Sequence, residues 1–384
     1  MMKLSILGAC LALFSPVLSR SFDGPYQTDP EPGPGNSAVE WWWYAVTDTV
    51  TSDGVVPSFE AIFYKGFAFT RGPADPDYRF DISGVFPNGT TFFFSTPVTA
   101  APALSTPGDG VSGNWGNGLG KFVVAPDRSC VDITVNNDAA GFSGSIVMIN
   151  QGTPPRTPCN NLDDPFFGSL ADGLSLNVNE TVLFKRTGWA VTMPRAASTV
   201  SVKIQGSPFV IENGIGYHDH NWAPQSIDKY GYTWLTGQGS CGPFDLSYLE
   251  VQARGSPRSR DITNGFLAYE GQFLQNECSL YGSKTKDFHT ITLSGQVFDP
   301  VSGVDVPTGL TLDYHLANGS HYQFVLTNSV QNPSRKVYHR WPLYGRGGPV
   351  GGTQYDCLLI SDWLNPGLAT YKQGESIFDQ QPLS

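Results

Sequence analysis

Apolar residues in this chain recur in short alternating runs, and no window carries the three-to-four-residue period of a long amphipathic helix with caps. The chain holds 43 Gly and 29 Pro among 24 Phe, 16 Tyr and 9 Trp, so the runs are closed off by residues that start turns. This pattern predicts an all-β fold of many short antiparallel strands. Two hairpins are plainest: 78–85 with 90–94 around Pro87-Asn88-Gly89, and 310–316 with 322–327 around Asn318-Gly319. A two-sided strand is expected over 59–69. Others are expected over 121–124, 131–135, 144–150, 199–204, 230–236, 247–253, 265–270, 288–297 and 357–362. The Gly/Pro/Ser-rich stretch 96–120 reads as a long loop, and 152–165 as an irregular run stapled by Cys159.

The first residues read as a leader: Lys3, an apolar stretch over 4–18, and small Val17 and Ser19 before a cleavage point at Arg20. The stretch is short of the roughly 20 apolar residues that span a bilayer. A leader at 1–19, an N-terminal β domain at 20–205 and a C-terminal β domain at 206–384 are the expected divisions. The expected destination is the secretory pathway, without stable membrane insertion. Sequons at Asn88, Asn179 and Asn318 fit that route, and two of them sit on hairpin turns. Losing Cys10 leaves Cys130, Cys159, Cys241, Cys278 and Cys357, which predicts two disulfides and one free thiol. The net charge is −11 and no Lys/Arg-rich run occurs, so nucleic acid is excluded as a partner.

Chemistry concentrates in two segments, Glu40-Trp41-Trp42-Trp43-Tyr44 and Tyr217-His218-Asp219-His220-Asn221-Trp222. Large rings with polar tips suit a cavity wall better than a core, and the two segments are read as opposite walls of one pocket. Strand alternation places His218, His220 and Trp222 on one face and Tyr217, Asp219 and Asn221 on the other. Trp42, with Glu40 on its side, opposes Trp41 and Trp43. One side of the triplet therefore meets something other than its own sheet's core. His-x-His is also a metal-ligand spacing, but no nearby Glu or His completes a set, and neither metal nor cofactor is expected. The alternative is that these histidines are structural and bonded to backbone or Asp219. No G-x-S-x-G elbow or P-loop is present, since Gln238 stands where the elbow around Ser240 needs Gly.

At these residues the chain resembles the lipocalin-like carotenoid hydratase (hydroxyneurosporene synthase) superfamily, in its fungal Diels–Alderase branch. The resemblance rests on the E-W-W-Y-type segment, the strand Ser58-Phe-Glu-Ala-Ile-Phe-Tyr64, the segment ending at Trp222 and the aromatic strand Tyr230-Gly-Tyr-Thr-Trp234. An extra Trp in 41–43 departs from the usual pair. The resemblance implies two lipocalin-like antiparallel domains with a ligand cavity between or within them. It matches Glu40, Trp42, Tyr44, His218, Asp219, His220, Asn221 and Trp222 to the motif positions.

The function so implied is a cofactor-free pericyclase, acting downstream of a synthase to close a ring in a small hydrophobic polyene that carries a tetramic-acid or pyrrolinone head. Such a reaction develops little charge and depends on folding a flexible chain into one reactive conformer. His218, His220 or Tyr44 is the expected donor, with Asp219 or Asn221 orienting it. Trp42, Tyr64, Trp222, Tyr232 and Trp234 are the expected walls. Three rivals stand beside it. They are a hydratase or isomerase of an isoprenoid double bond, with Asp219 or Glu40 as acid, a secreted carrier of an apolar ligand, and a carbohydrate-active β protein.

Overall fold

The computed structural model describes residues 23–25, 27–70, 72, 75–159, 164–284, 286–376 and 381–382. The expected leader at 1–19 lies outside them. Eleven strands form the first sheet: β1 (Val39–Thr47), β2 (Ser58–Lys65), β3 (Tyr78–Val85), β4 (Thr91–Val98), β5 (Ala103–Ser105), β6 (Ser112–Trp115), β7 (Gly120–Val124), β8 (Cys130–Asn137), β9 (Phe142–Asn150), β10 (Gly188–Ile204) and β11 (Ser207–Ala223). Their spatial order, β4-β3-β2-β1-β11-β10-β9-β8-β7-β6-β5, curls into a half-barrel.

The second sheet begins with β12 (Gly231–Cys241), β13 (Phe244–Ala253), β14 (Ile262–Tyr269), β15 (Gln272–Leu280) and β16 (Phe288–Ser294). A small side hairpin, β17 (Val297–Asp299) with β18 (Val304–Val306), follows. The second sheet resumes with β19 (Gly309–His315), β20 (His321–Asn328), β21 (Ser334–Arg335), β22 (Tyr338–Pro349) and β23 (Tyr355–Leu364). It is a nearly closed barrel with β15 and β16 at its two ends. The all-β architecture expected from the turn-rich composition is the one observed. Among the described residues no helix is long and apolar enough to cross a membrane.

Three apolar clusters follow from strand alternation. One fills the half-barrel and includes Trp42, Tyr44, Phe63, Trp115 and Phe122. One fills the second barrel around Tyr248, Leu312, Phe324 and Trp363. The third lies where the two sheets pack together, joining Trp43, Ile62, Tyr64, Trp189 and Tyr217 to Trp234, Leu249 and Ile360. The triple Trp is thus split, as alternation requires: Trp42 points into the half-barrel and Trp43 into the junction. Gly188 is needed beside it, because a Cβ there would lie 2.0 Å from the Trp222 ring.

Several local expectations change. The two chemical segments are not opposite walls: β1 and β11 are hydrogen-bonded neighbours, with Glu40 opposite Trp222, Trp42 opposite His220 and Tyr44 opposite His218. Residue 205 lies in the turn of the β10–β11 hairpin, so β11 closes the first sheet and the second begins only at Gly231. The stretch 96–120 is not all loop; it carries the edge strands β5 and β6, whose pairings extend the first sheet. Disulfides join Cys159 to Cys278 and Cys241 to Cys357, and no described cysteine is a free thiol, which corrects the expected odd sulfur.

Helix α1 (Val178–Arg186) was also not anticipated. Its start is a capping box: Asn177 accepts from the Glu180 N–H at 2.8 Å, and Glu180 accepts from the Asn177 N–H at 2.7 Å. Replacing Asn177 by Ala should destabilise the protein by about 1 kcal/mol, read as a lower denaturation midpoint in urea. An unchanged midpoint would mean the cap contributes nothing. The sequon Asn179 sits on this helix and donates to the Arg254 carbonyl at 3.0 Å, whereas Asn88 and Asn318 are exposed on hairpin tips.

Candidate active site

The alternation that divides the apolar clusters also divides the candidate residues into two chambers. Into the half-barrel go Glu40, Trp42, Tyr44, His218, His220 and Trp222, all at most 1% exposed. His218 stacks on Tyr44 with centroids 4.0 Å apart, and His220 stacks on Trp42 at 4.5 Å. His218 holds the Trp43 carbonyl through Nδ1 at 2.9 Å and the Asp23 carboxylate through Nε2 at 3.1 Å. Burial alone disfavours a charged imidazole there, but the Asp23 carboxylate outweighs it and raises the His218 pKa. His220 pairs with Glu40 at 3.3 Å. These rings lie against Phe63, Trp115 and Phe122.

On the other face of the same two strands lies a cleft between the sheets. It encloses about 610 Å³ free of protein atoms, its open mouth included. Strand β1 supplies Trp41 and Trp43, and β2 supplies Ile62 and Tyr64; Trp189 comes from β10 and Trp234 from β12. Polar groups sit in two places. From β11 come Asp219 and Asn221; from β22 and β23 come Tyr338, Arg340 and Asp362.

Asp219 is 3% exposed and accepts three hydrogen bonds: from Trp189 Nε1 at 2.9 Å, Tyr217 OH at 3.0 Å and Asn221 Nδ2 at 2.7 Å. Burial pushes its pKa up to about 6, against the pull of those donors and of nearby His218. It is therefore a carboxyl close to the point where it can give or take a proton near neutrality. At the second place Arg340 Nε donates to Asp362 at 2.7 Å, and Tyr338 OH donates to the same oxygen at 2.8 Å. Arg340 also lies 3.8 Å from Glu60 and 5.0 Å above the Trp43 ring. Burial raises the Glu60 carboxyl to about 7 despite that cation. Trp43 itself has a buried indole N–H with no hydrogen-bond partner, on a residue that lines the cleft. Such an orphan donor is unusual in an interior and is suited to a ligand carbonyl.

Four sequence candidates thus share the cleft, namely Asp219, Asn221, Tyr64 and Trp234. Tyr232 is separate: its ring packs at Gly367 and its hydroxyl is buried unpartnered. Trp41 and Trp43 were placed only on the face opposite Trp42, and Trp42, the expected wall, points into the half-barrel instead. Trp189, Tyr338, Arg340 and Asp362 carried no signal, because they come from three strands distant in the chain.

A family model described as Diels-Alderase-like matches residues 35–336. The quinolone epoxide rearrangement protein penF of Penicillium thymicola is 24% identical over 327 residues, covering 84% of this chain and 83% of penF. The quinolone epoxide rearrangement protein asqO of Emericella nidulans is 25% identical over 337 residues, covering 86% of this chain and 84% of asqO. The crystal structure of CghA with Sch210972 superimposes with a TM-score of 0.66 at 16% identity, covering 86% of this chain and 88% of CghA, a likeness of fold. Since the family match takes in most of the chain, the whole first sheet and the second as far as β21, this protein belongs to the Diels-Alderase-like family.

Proposed function

We propose that this chain is an isomerase-class enzyme that takes a small, largely apolar aromatic metabolite into the junction cleft and rearranges it, with Asp219 as the acid. The observation that carries the reading is a carboxyl of pKa about 6 at the edge of a cleft walled by four tryptophans. An epoxide on a ring system, the substrate named for penF and asqO, fits this arrangement. The protonated Asp219 gives its proton to the epoxide oxygen, and one C–O bond breaks with its electron pair moving to that oxygen. The carbon left electron-deficient lies among indole faces, which stabilise positive charge. A neighbouring group migrates with its bonding pair, a carbonyl forms at the oxygen-bearing carbon, and the O–H proton returns to the Asp219 carboxylate. The product is an isomer of the substrate, with atoms and charge conserved.

Diels–Alder cyclisation of a linear polyene with a tetramic-acid head is the second reading. It is favoured by the unpartnered Trp43 N–H, a donor suited to a dienophile carbonyl, beside Tyr64 and Trp234 as walls. The two readings separate when purified protein is incubated with an aryl-substituted quinolone epoxide and, in parallel, with a polyenoyl tetramic acid. Acceleration of the epoxide reaction alone is the expected result, and acceleration of the polyene alone selects the cyclase. Conversion at the spontaneous rate in both would sink the enzymatic reading and leave a carrier.

A further inference from the structure

We propose that the outer face of the β19–β20 hairpin binds a divalent transition-metal ion, of the zinc class, through Asp313, His315 and His321. Alternation on β19 turns Leu310, Leu312 and Tyr314 into the barrel and leaves Asp313 and His315 on the outside. Cross-strand pairing sets His321 of β20 directly opposite His315, and Gln323 opposite Asp313. The ligand atoms of the three residues lie within 4.8 Å of one another. The two imidazoles stack with centroids 4.2 Å apart, and His321 Nε2 lies 2.7 Å from the Asp313 carboxylate. Gln323 donates to that carboxylate at 2.9 Å, which holds it toward the histidines as an outer partner of a metal site does.

Two imidazoles and one carboxylate form the ligand set that borderline ions such as zinc prefer over the all-oxygen cages of calcium and magnesium. Each residue is only partly buried, so water completes the coordination. The other four histidines, His218, His220, His289 and His339, are at most 5% exposed. Imidazole-dependent binding from solution therefore reports on this hairpin. None of its three donors lines the junction cleft, so the result is independent of the catalytic reading.

The test is titration calorimetry of tag-free full-length protein with zinc chloride near pH 7. One ion per chain is expected, with His315→Ala and His321→Ala each binding about 100-fold more weakly, and Gln323→Ala about tenfold more weakly. Zinc should also raise the unfolding midpoint of the wild type and leave that of His315→Ala in place. The proposal is overturned by undetectable heat at about 100 µM zinc. It is equally overturned if both histidine variants bind as the wild type does, or if magnesium binds as tightly as zinc.

Discussion

Asp219→Asn should leave a folded protein whose turnover of its substrate is about 10²–10⁴-fold lower, the usual contribution of one positioned proton donor. The substitution keeps the side chain's shape between Trp189, Tyr217 and Asn221 while removing its proton. Direction with pH adds a second check. Burial raises the Asp219 pKa to about 6, so the competent acid is present below that value and lost as pH rises through it. The wild-type kcat should therefore fall above pH 6, and the Asn variant should be slow and nearly flat. Folding is linked with the same sign. The folded state holds the proton more tightly than the unfolded chain, so Asp219 favours the fold at low pH and this advantage is lost as pH rises from about 4 to 6. The Asn variant should show a shallower decline of stability across that window, although Glu60, raised for the same reason, still contributes some of it. A variant that retains wild-type kcat would remove Asp219 from the mechanism.

Arg340→Met should cost about 3–5 kcal/mol of stability, because it leaves Asp362 and Glu60 as buried carboxylates without their cation. Arg340 is 2% exposed, Asp362 5% and Glu60 1%, so water does little to solvate the charges left behind. Glu60 already titrates near 7, and losing the guanidinium raises it further. The folded variant can then neutralise Glu60 by taking up a proton, so the loss should be smaller at pH 6 than at pH 8 in urea unfolding. Arg340→Met combined with Asp362→Leu should recover much of the stability, since exchanging both members of a buried pair for apolar groups is often neutral. An equal loss in the single and double variants would show that the methionine's packing, not the orphaned charge, is responsible.

Fold class was legible in the chain because strand period and turn chemistry are local. Asn88-Gly89 and Asn318-Gly319 sit in the hairpins expected of them, with Gly89 and Gly319 at φ of 81° and 88°. The face assignments within 40–44 and 217–222 follow from the same period of two. What stayed hidden is pairing between distant segments. That β1 lies beside β11, and not across a cavity from it, depends on a partner 170 or so residues away, which no local pattern encodes. Tyr338, Arg340 and Asp362 reach the cleft for that reason too, carried there by β22 and β23, which pair next to β12 in the middle of the second sheet. Helix α1 is a different failure. Asn177 and Glu180 spell its start, but its weak apolar stripe lacks the length that makes a helix visible.

Because β1 and β11 form a two-sided partition, neighbouring residues on one strand answer to different demands. Trp42 and His220 hold up the half-barrel, while Trp43 and Asp219, one step along, furnish the cleft. Descendants of such a protein can exchange positions 41, 43 and 221 to accept a new compound while Asp219 keeps its place and the half-barrel's rings stay as they are on the opposite face. A one-residue insertion in either strand does the reverse, turning the scaffold's rings outward and the cleft's acid inward. Diversification in this lineage should therefore proceed by substitution within these two strands and by length change only in the loops around them.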